Sequence, residues 1–181
     1  AGTGAIDFQG VVGTTRLGDV TITSAADVTA TTFSAATLTQ VAGSGTTTFN
    51  GAVNTNGAGG IDLTGTDLVV ANTLTTTGTG PVTIDESATA DFTAAGDISA
   101  DGAVSLTAAG GITTAGNVTT TNDDVTYASA TTLTGDVLVN TGAGAGAITF
   151  SSTLDGSFDL GLTAGTGAID FQGVVGTTRL G

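Results

Sequence analysis

The chain has 181 residues, among them 30 Gly, 41 Thr and one Pro, with no Cys, no His and no Trp. Sixteen acids face two Arg, for a net charge of −14, a balance that repels phosphate backbones and excludes a nucleic-acid surface. Without Cys, His or Lys there can be no disulfide, thiolate metal site, Ser-His or Cys-His pair, or Schiff base.

Glycine at this abundance, with no G-X-Y period and almost no Pro, does not make collagen. A positive mean hydropathy and regularly spaced β-branched and aromatic residues argue against disorder. The longest apolar run, Leu68-Val69-Val70-Ala71, is far short of the roughly 20 residues that span a bilayer, so no membrane insertion is expected.

In chain order, the first eighteen residues, AGTGAIDFQGVVGTTRLG, return without a change at residues 164–181, a period of 163. Self-similarity at a fixed period signals a stacked or arrayed architecture. Residues 1–163 read as one complete tandem unit and residues 164–181 as the start of the next identical one.

Short alternating segments follow: Ile6/Phe8, Val20/Ile22, Ile61/Leu63, Val82/Ile84, Val104/Leu106, Val125/Tyr127, Ile148/Phe150 and Ile169/Phe171, each pair separated by Thr, Ser or Asp. Period-two alternation predicts strands with one buried face. From Val82 onward they recur at 22, 21, 23 and 21 residues, too far apart for a hairpin meander and the length of one coil of a three-sided parallel β-helix. Phe158, Leu160 and Leu162 alternate on a second side of a coil. Asn50-Gly51, Asn56-Gly57, Asp101-Gly102, Asp155-Gly156 and the GAGAG run at 142–146 are expected at corners, where positive φ is needed. Pro81 stands at the start of a strand, where its missing N–H does least harm.

One coil buries about five apolar side chains at roughly 1.5–3 kcal/mol each, while ordering its residues costs about 1–2 kcal/mol apiece. No coil stands alone, so stability must come from ladders between neighbours. The prediction is an all-β, right-handed parallel β-helix, a β-solenoid of about eight coils of about 20 residues per 163-residue unit.

The segments GAIDFQGVVGTTRLGDVTITSA, GTTTFNGAV and GAITFSSTLDG resemble the repeat regions of giant bacterial surface proteins related to filamentous haemagglutinin. That resemblance implies secretion to the cell surface, great length, a β-helix shaft and a structural or adhesive role. It carries over no catalytic residues.

Other chemistries have thin support. Asp123-Asp124 and Asp155/Asp159 are the nearest thing to a paired-carboxylate site of a polysaccharide-acting β-helix enzyme. Solvated corner positions are the plainer reading, and one Tyr without Trp makes a poor sugar platform. Asp7, Asp62 and Asp170 occupy equivalent strand positions and could stack as a Ca²⁺ ladder, although no known calcium loop is present. The Thr46–Thr48, Thr75–Thr77 and Thr119–Thr121 runs invite an ice-binding reading, but Thr is also simply a good exposed strand residue. Asn50, Asn54 and Asn140 could form internal ladders, and Asn117-Val118-Thr119 matches a glycosylation triplet. No catalytic, cofactor or metal residue is assigned, and no enzyme is expected. The expectation is an extracellular filament or adhesin shaft whose partners are identical units head to tail. A carbohydrate- or cell-binding module is the alternative.

Overall fold

The computed structural model describes residues 2–177 and 179–181, and every regular element among them is a strand. The chain winds through three faces in a constant order, making about eight turns of roughly 21 residues. Face 1 is an eight-stranded sheet: Ile6–Phe8, Val28–Ala30, Thr46–Phe49, Asp67–Val70, Thr89–Phe92, Gly111–Thr114, Thr131–Leu133 and Leu154–Gly156. Faces 2 and 3 together make a 14-stranded sheet, joined because Val12–Ile22 and Phe33–Gln40 each run through both. Face 2 continues with Val53–Thr55, Leu74–Thr76, Ile98–Ala100, Val118–Thr120, Val137–Asn140 and Leu160–Thr163. Face 3 continues with Ile61–Gly65, Val82–Glu86, Val104–Ala108, Val125–Tyr127, Ile148–Phe150 and Ile169–Phe171. All of these ladders are parallel, and the parallel β-solenoid predicted from the spacing is the fold.

Alternation decides which side chains fill the interior. In Val82–Glu86, Val82 and Ile84 turn inward and Thr83 outward. Val104 and Leu106 lie directly opposite them one coil on, and Val125 and Tyr127 one coil further. The core is therefore a set of axial columns rather than a globule. The backbone closes the same way at strand entries: Ile61, Val82, Val104 and Val125 each donate their N–H to a carbonyl one coil ahead, at 2.8–3.0 Å. Those bonds are independent of side-chain identity, so a chain of small residues can build the ladder.

Three details differ from the sequence reading. Ile6–Phe8 belongs to face 1, not to the face 3 column that holds its copy Ile169–Phe171. The 41-residue gap between Val20 and Ile61 contains a missed member of face 3, Leu38–Gln40, whose second inward side chain is an amide. Asp155-Gly156 is not a corner. It sits in the strand Leu154–Gly156, where Gly156 is buried at φ +134 against Leu133.

Positive φ gathers instead at one corner, between faces 2 and 3. There Gly60, Gly78, Thr79, Asn122, Gly142 and Gly165 all adopt it, the Gly142 turn lying in the GAGAG run. Glycine takes that conformation without Cβ strain. Pro81 does precede a strand, and its carbonyl accepts the N–H of Ile61 (2.9 Å).

The widest side chains stack inside face 3. Tyr127 and Phe150 lie 4.7 Å apart at 10°, and Phe150 and Phe171 5.3 Å apart at 8°, an arrangement worth about 0.5–1.5 kcal/mol per pair beyond burial. The Tyr127 hydroxyl is buried with no hydrogen-bond partner, and desolvation pushes its pKa upward. An unpaired buried hydroxyl costs about 1–3 kcal/mol. Tyr127→Phe is therefore expected to stabilise the protein by about 1 kcal/mol in urea unfolding; a loss of stability would show that the hydroxyl is paired.

Candidate functional surfaces

Most of the acids act between coils. Thr46 N–H donates to Asp27 Oδ1 (2.9 Å), Asn117 N–H to Asp97 Oδ1 (2.7 Å), Thr79 N–H to Asp101 Oδ2 (2.9 Å) and Ala147 N–H to Asp124 Oδ1 (2.7 Å). The Asp67 carboxylate accepts from both the N–H (3.1 Å) and the hydroxyl (2.7 Å) of Thr89. Each bond ties a corner or strand start to the coil beside it. A carboxylate accepting backbone N–H groups makes a strong, charge-assisted contact, so these residues staple the stack.

Of the candidate carboxylate pairs, Asp124 and Asp155 take this role. Asp155 points outward from face 1 and accepts the Thr177 hydroxyl (2.5 Å), while Asp159 donates its own N–H to Asp136 Oδ1 (3.0 Å). Asp7 lies on face 1, away from Asp62 and Asp170 on face 3. Between those two, the same outward column carries Thr83, Ser105, Thr126 and Thr149, so the three acids form no ladder. Among the described residues no three potential metal ligands converge and no pocket forms.

Asparagines also act singly. Asn117 Oδ1 accepts the Leu138 N–H (2.8 Å), Asn122 Oδ1 the Gly144 N–H (2.6 Å) and Asn140 Oδ1 the nearby Gly142 N–H (2.8 Å). The Asn117 amide of the glycosylation triplet is thereby engaged with the next coil. Asn54 receives Arg16, whose guanidinium donates to the carbonyls of Ala35 (2.8 Å) and Asn54 (2.9 Å) and to Asn54 Oδ1. That bridge covers the place where the ladder of Val12–Ile22 shifts register.

Outside, the faces display aligned small polar groups. Face 2 carries Ser34, Asn54, Thr75, Ser99 and Thr119 in one column, spaced by about 4.8 Å. Asp62 and Asp170 interrupt the corresponding hydroxyl column of face 3. Phe33, Phe49, Phe92, Phe150 and Tyr127 are buried, and the exposed aromatics Phe158 and Phe171 both lie in the last coil. Val11 and Leu17 in the first coil and Ile169, Val174 and Val175 in the last are also exposed. Among the described residues, all the exposed large apolar side chains but Val41 and Leu138 lie in the first or the last coil.

One interior feature escaped the sequence reading. Gln40 and Glu86 are both sealed inside, 1% exposed, and flank Gly65 in the coil between them. A Cβ on Gly65 would stand 2.8 Å from Glu86 Oε2 and 3.2 Å from Gln40 Nε2. Gln40 is paired with the Thr47 hydroxyl (2.8 Å), whereas neither carboxyl oxygen of Glu86 has a partner. The signal was available: extending the alternation one step past Leu38 and Ile84 puts both residues inward.

Burial, and then the negative charges of Asp67 and Asp85, raise the Glu86 pKa from 4.5 to about 7. The folded state keeps this proton where the unfolded chain has lost it, so the stabilisation is complete below pH 4.5 and disappears as pH rises to about 7. With the carboxyl beneath a wall one strand thick, solvent screening limits the change to on the order of 2 kcal/mol. Glu86→Gln should be more stable than the parent at pH 8 and should flatten this slope in a pH series of urea midpoints. Parallel pH profiles for the two proteins would refute the assignment.

Against known proteins, the chain matches no family model, no curated protein and no solved structure; its own ladders place it among the parallel β-solenoids.

Proposed function

We propose that this chain is part of an extracellular structural fibre or adhesin shaft, in which 163-residue units follow one another head to tail. The reading rests on one observation above all. Eighteen residues recur unchanged at a period of 163, and both copies are built into the parallel stack, Ile6–Phe8 against Val28–Ala30 and Ile169–Phe171 against Ile148–Phe150. The outer faces support the same reading: among the described residues their aligned hydroxyls, amides and carboxylates surround no pocket, and no exposed aromatic lies away from the last coil.

The resemblance to haemagglutinin-like shafts adds the bacterial cell surface as the expected location. An acidic exterior keeps a long rod soluble, and two Arg without Lys leave trypsin-like proteases little to cut. Tandem proteins of one, two and three units, imaged by electron microscopy, test the proposal. Straight rods should lengthen by roughly 37 Å for each unit, from about 4.8 Å per coil. Globules, or beads joined by flexible links, would sink it.

A further inference from the structure

The eighteen-residue segment occupies different faces at its two sites. Ile6–Phe8 lies on face 1, where Asp7 is opposite Thr29 of Val28–Ala30. The identical Ile169–Phe171 lies on face 3, where Asp170 is opposite Thr149 of Ile148–Phe150. The offset continues along the segment. Val12 opens face 2 opposite Phe33, whereas its copy Val175 bridges Leu154 on face 1.

Coil length explains the offset. On face 1 the register runs in eight steps from Ile6 to Val175, a span of 169 residues. The sequence period is 163, six residues short of eight coils, which is about the length of one face with its corner. Ile-Asp-Phe can occupy either face because each asks only for apolar, polar, apolar. Phe8 packs edge-on against Phe33 (5.5 Å), and Phe171 stacks on Phe150.

From this we infer that successive units exchange faces, each docking on the last coil of its predecessor turned by one third of a coil. The segment pairs behind with Ile148–Phe150 and ahead with Val28–Ala30, so in an array these are consecutive strands of one ladder. Face 3 of one unit then runs on as face 1 of the next. This deepens the fibre reading and rests on it. Three units, or about 23 coils, complete the axial repeat at roughly 110 Å. Every side of the fibre presents all three outward columns in turn. The competing arrangement closes the junction with a two-sided coil of fourteen residues, Ile6 to Val20, which keeps every unit in one frame.

Disulfide trapping in the 181-residue protein separates the two. Directly opposed residues of neighbouring strands lie about 4.8 Å apart, within reach of a disulfide. The expected result is efficient cross-linking of Asp7→Cys with Thr29→Cys, and of Asp170→Cys with Thr149→Cys; these positions point outward and should tolerate the change. Cross-linking of Asp7→Cys with Thr21→Cys instead would overturn the inference. Cryo-electron microscopy of a rod of nine tandem units, three of the expected repeats in length, gives a second readout. A repeat near 110 Å supports the exchange, and a repeat near one unit refutes it while leaving the fibre intact. Failure to form rods would refute the fibre, with the cross-links still reporting the frame.

Discussion

A carboxylate placed at Leu74 is expected to abolish cooperative unfolding. Leu74 is fully buried on face 2, directly between Val53 and Ile98 in the neighbouring coils. Leu74→Asp would remove a packed side chain, a loss of about 2–5 kcal/mol, and leave an unpaired charge inside a wall one strand thick. Together these exceed about 4 kcal/mol, which places the change in the rare, severe class. The stack magnifies the damage, because each coil is stabilised only through its neighbours. Breaking the column at Leu74 separates about three coils from about five, and both pieces acquire new open ends. Thr75→Asp, one residue away on the outward column, should stay within about 0.5 kcal/mol of the parent. Circular dichroism in urea compares the two, and a normal transition for Leu74→Asp would mean that this column is not the core.

The second large effect comes from a single methyl group. Gly60 turns the corner between faces 2 and 3 at φ +61, and a Cβ there would stand 2.0 Å from the Pro81 carbonyl oxygen and 2.7 Å from the Pro81 nitrogen. That carbonyl is the acceptor for Ile61, so the obstacle is backbone of the next coil and cannot rotate away. Left-handed backbone costs a residue with Cβ about 1–2 kcal/mol, and prising two coils apart adds to it. Gly60→Ala should lose on the order of 4 kcal/mol. At Gly10, where an added Cβ meets nothing within 4 Å, the same change should be nearly silent. Equal urea midpoints for the two variants would contradict the close approach at Pro81.

The coil was legible in the sequence where both inward positions of a strand are apolar. Val82/Ile84, Val104/Leu106, Val125/Tyr127 and Ile148/Phe150 are neighbours on face 3, as their spacing predicts. Gln40 and Glu86 leave no mark on composition and break the apolar pattern with a polar group, so only the alternation carried one step past Leu38 and Ile84 marks them as inward. The face taken by Ile6–Phe8 could not have been read locally at all: Ile169–Phe171 has the same letters and a different place. What decides is the length of chain to the next strand. The stapling role of the acids was illegible for a related reason, since it depends on an N–H about twenty residues away and not on the flanking sequence.

The order of the ladders also determines how such a rod would give way under tension. Apart from bridges such as Arg16, which reaches from the first coil to Asn54, each coil is tied mainly to the coil before and the coil after. A pull along the axis therefore loads the end coil first, and its backbone bonds with their Asp staples let go together. Each release pays out about 21 residues of chain, on the order of 70 Å of slack at roughly 3.5 Å per residue, while the coils behind it keep their shape. Built this way, a tether lengthens in equal steps and absorbs work at every one, yielding from its end inward instead of snapping at its weakest point.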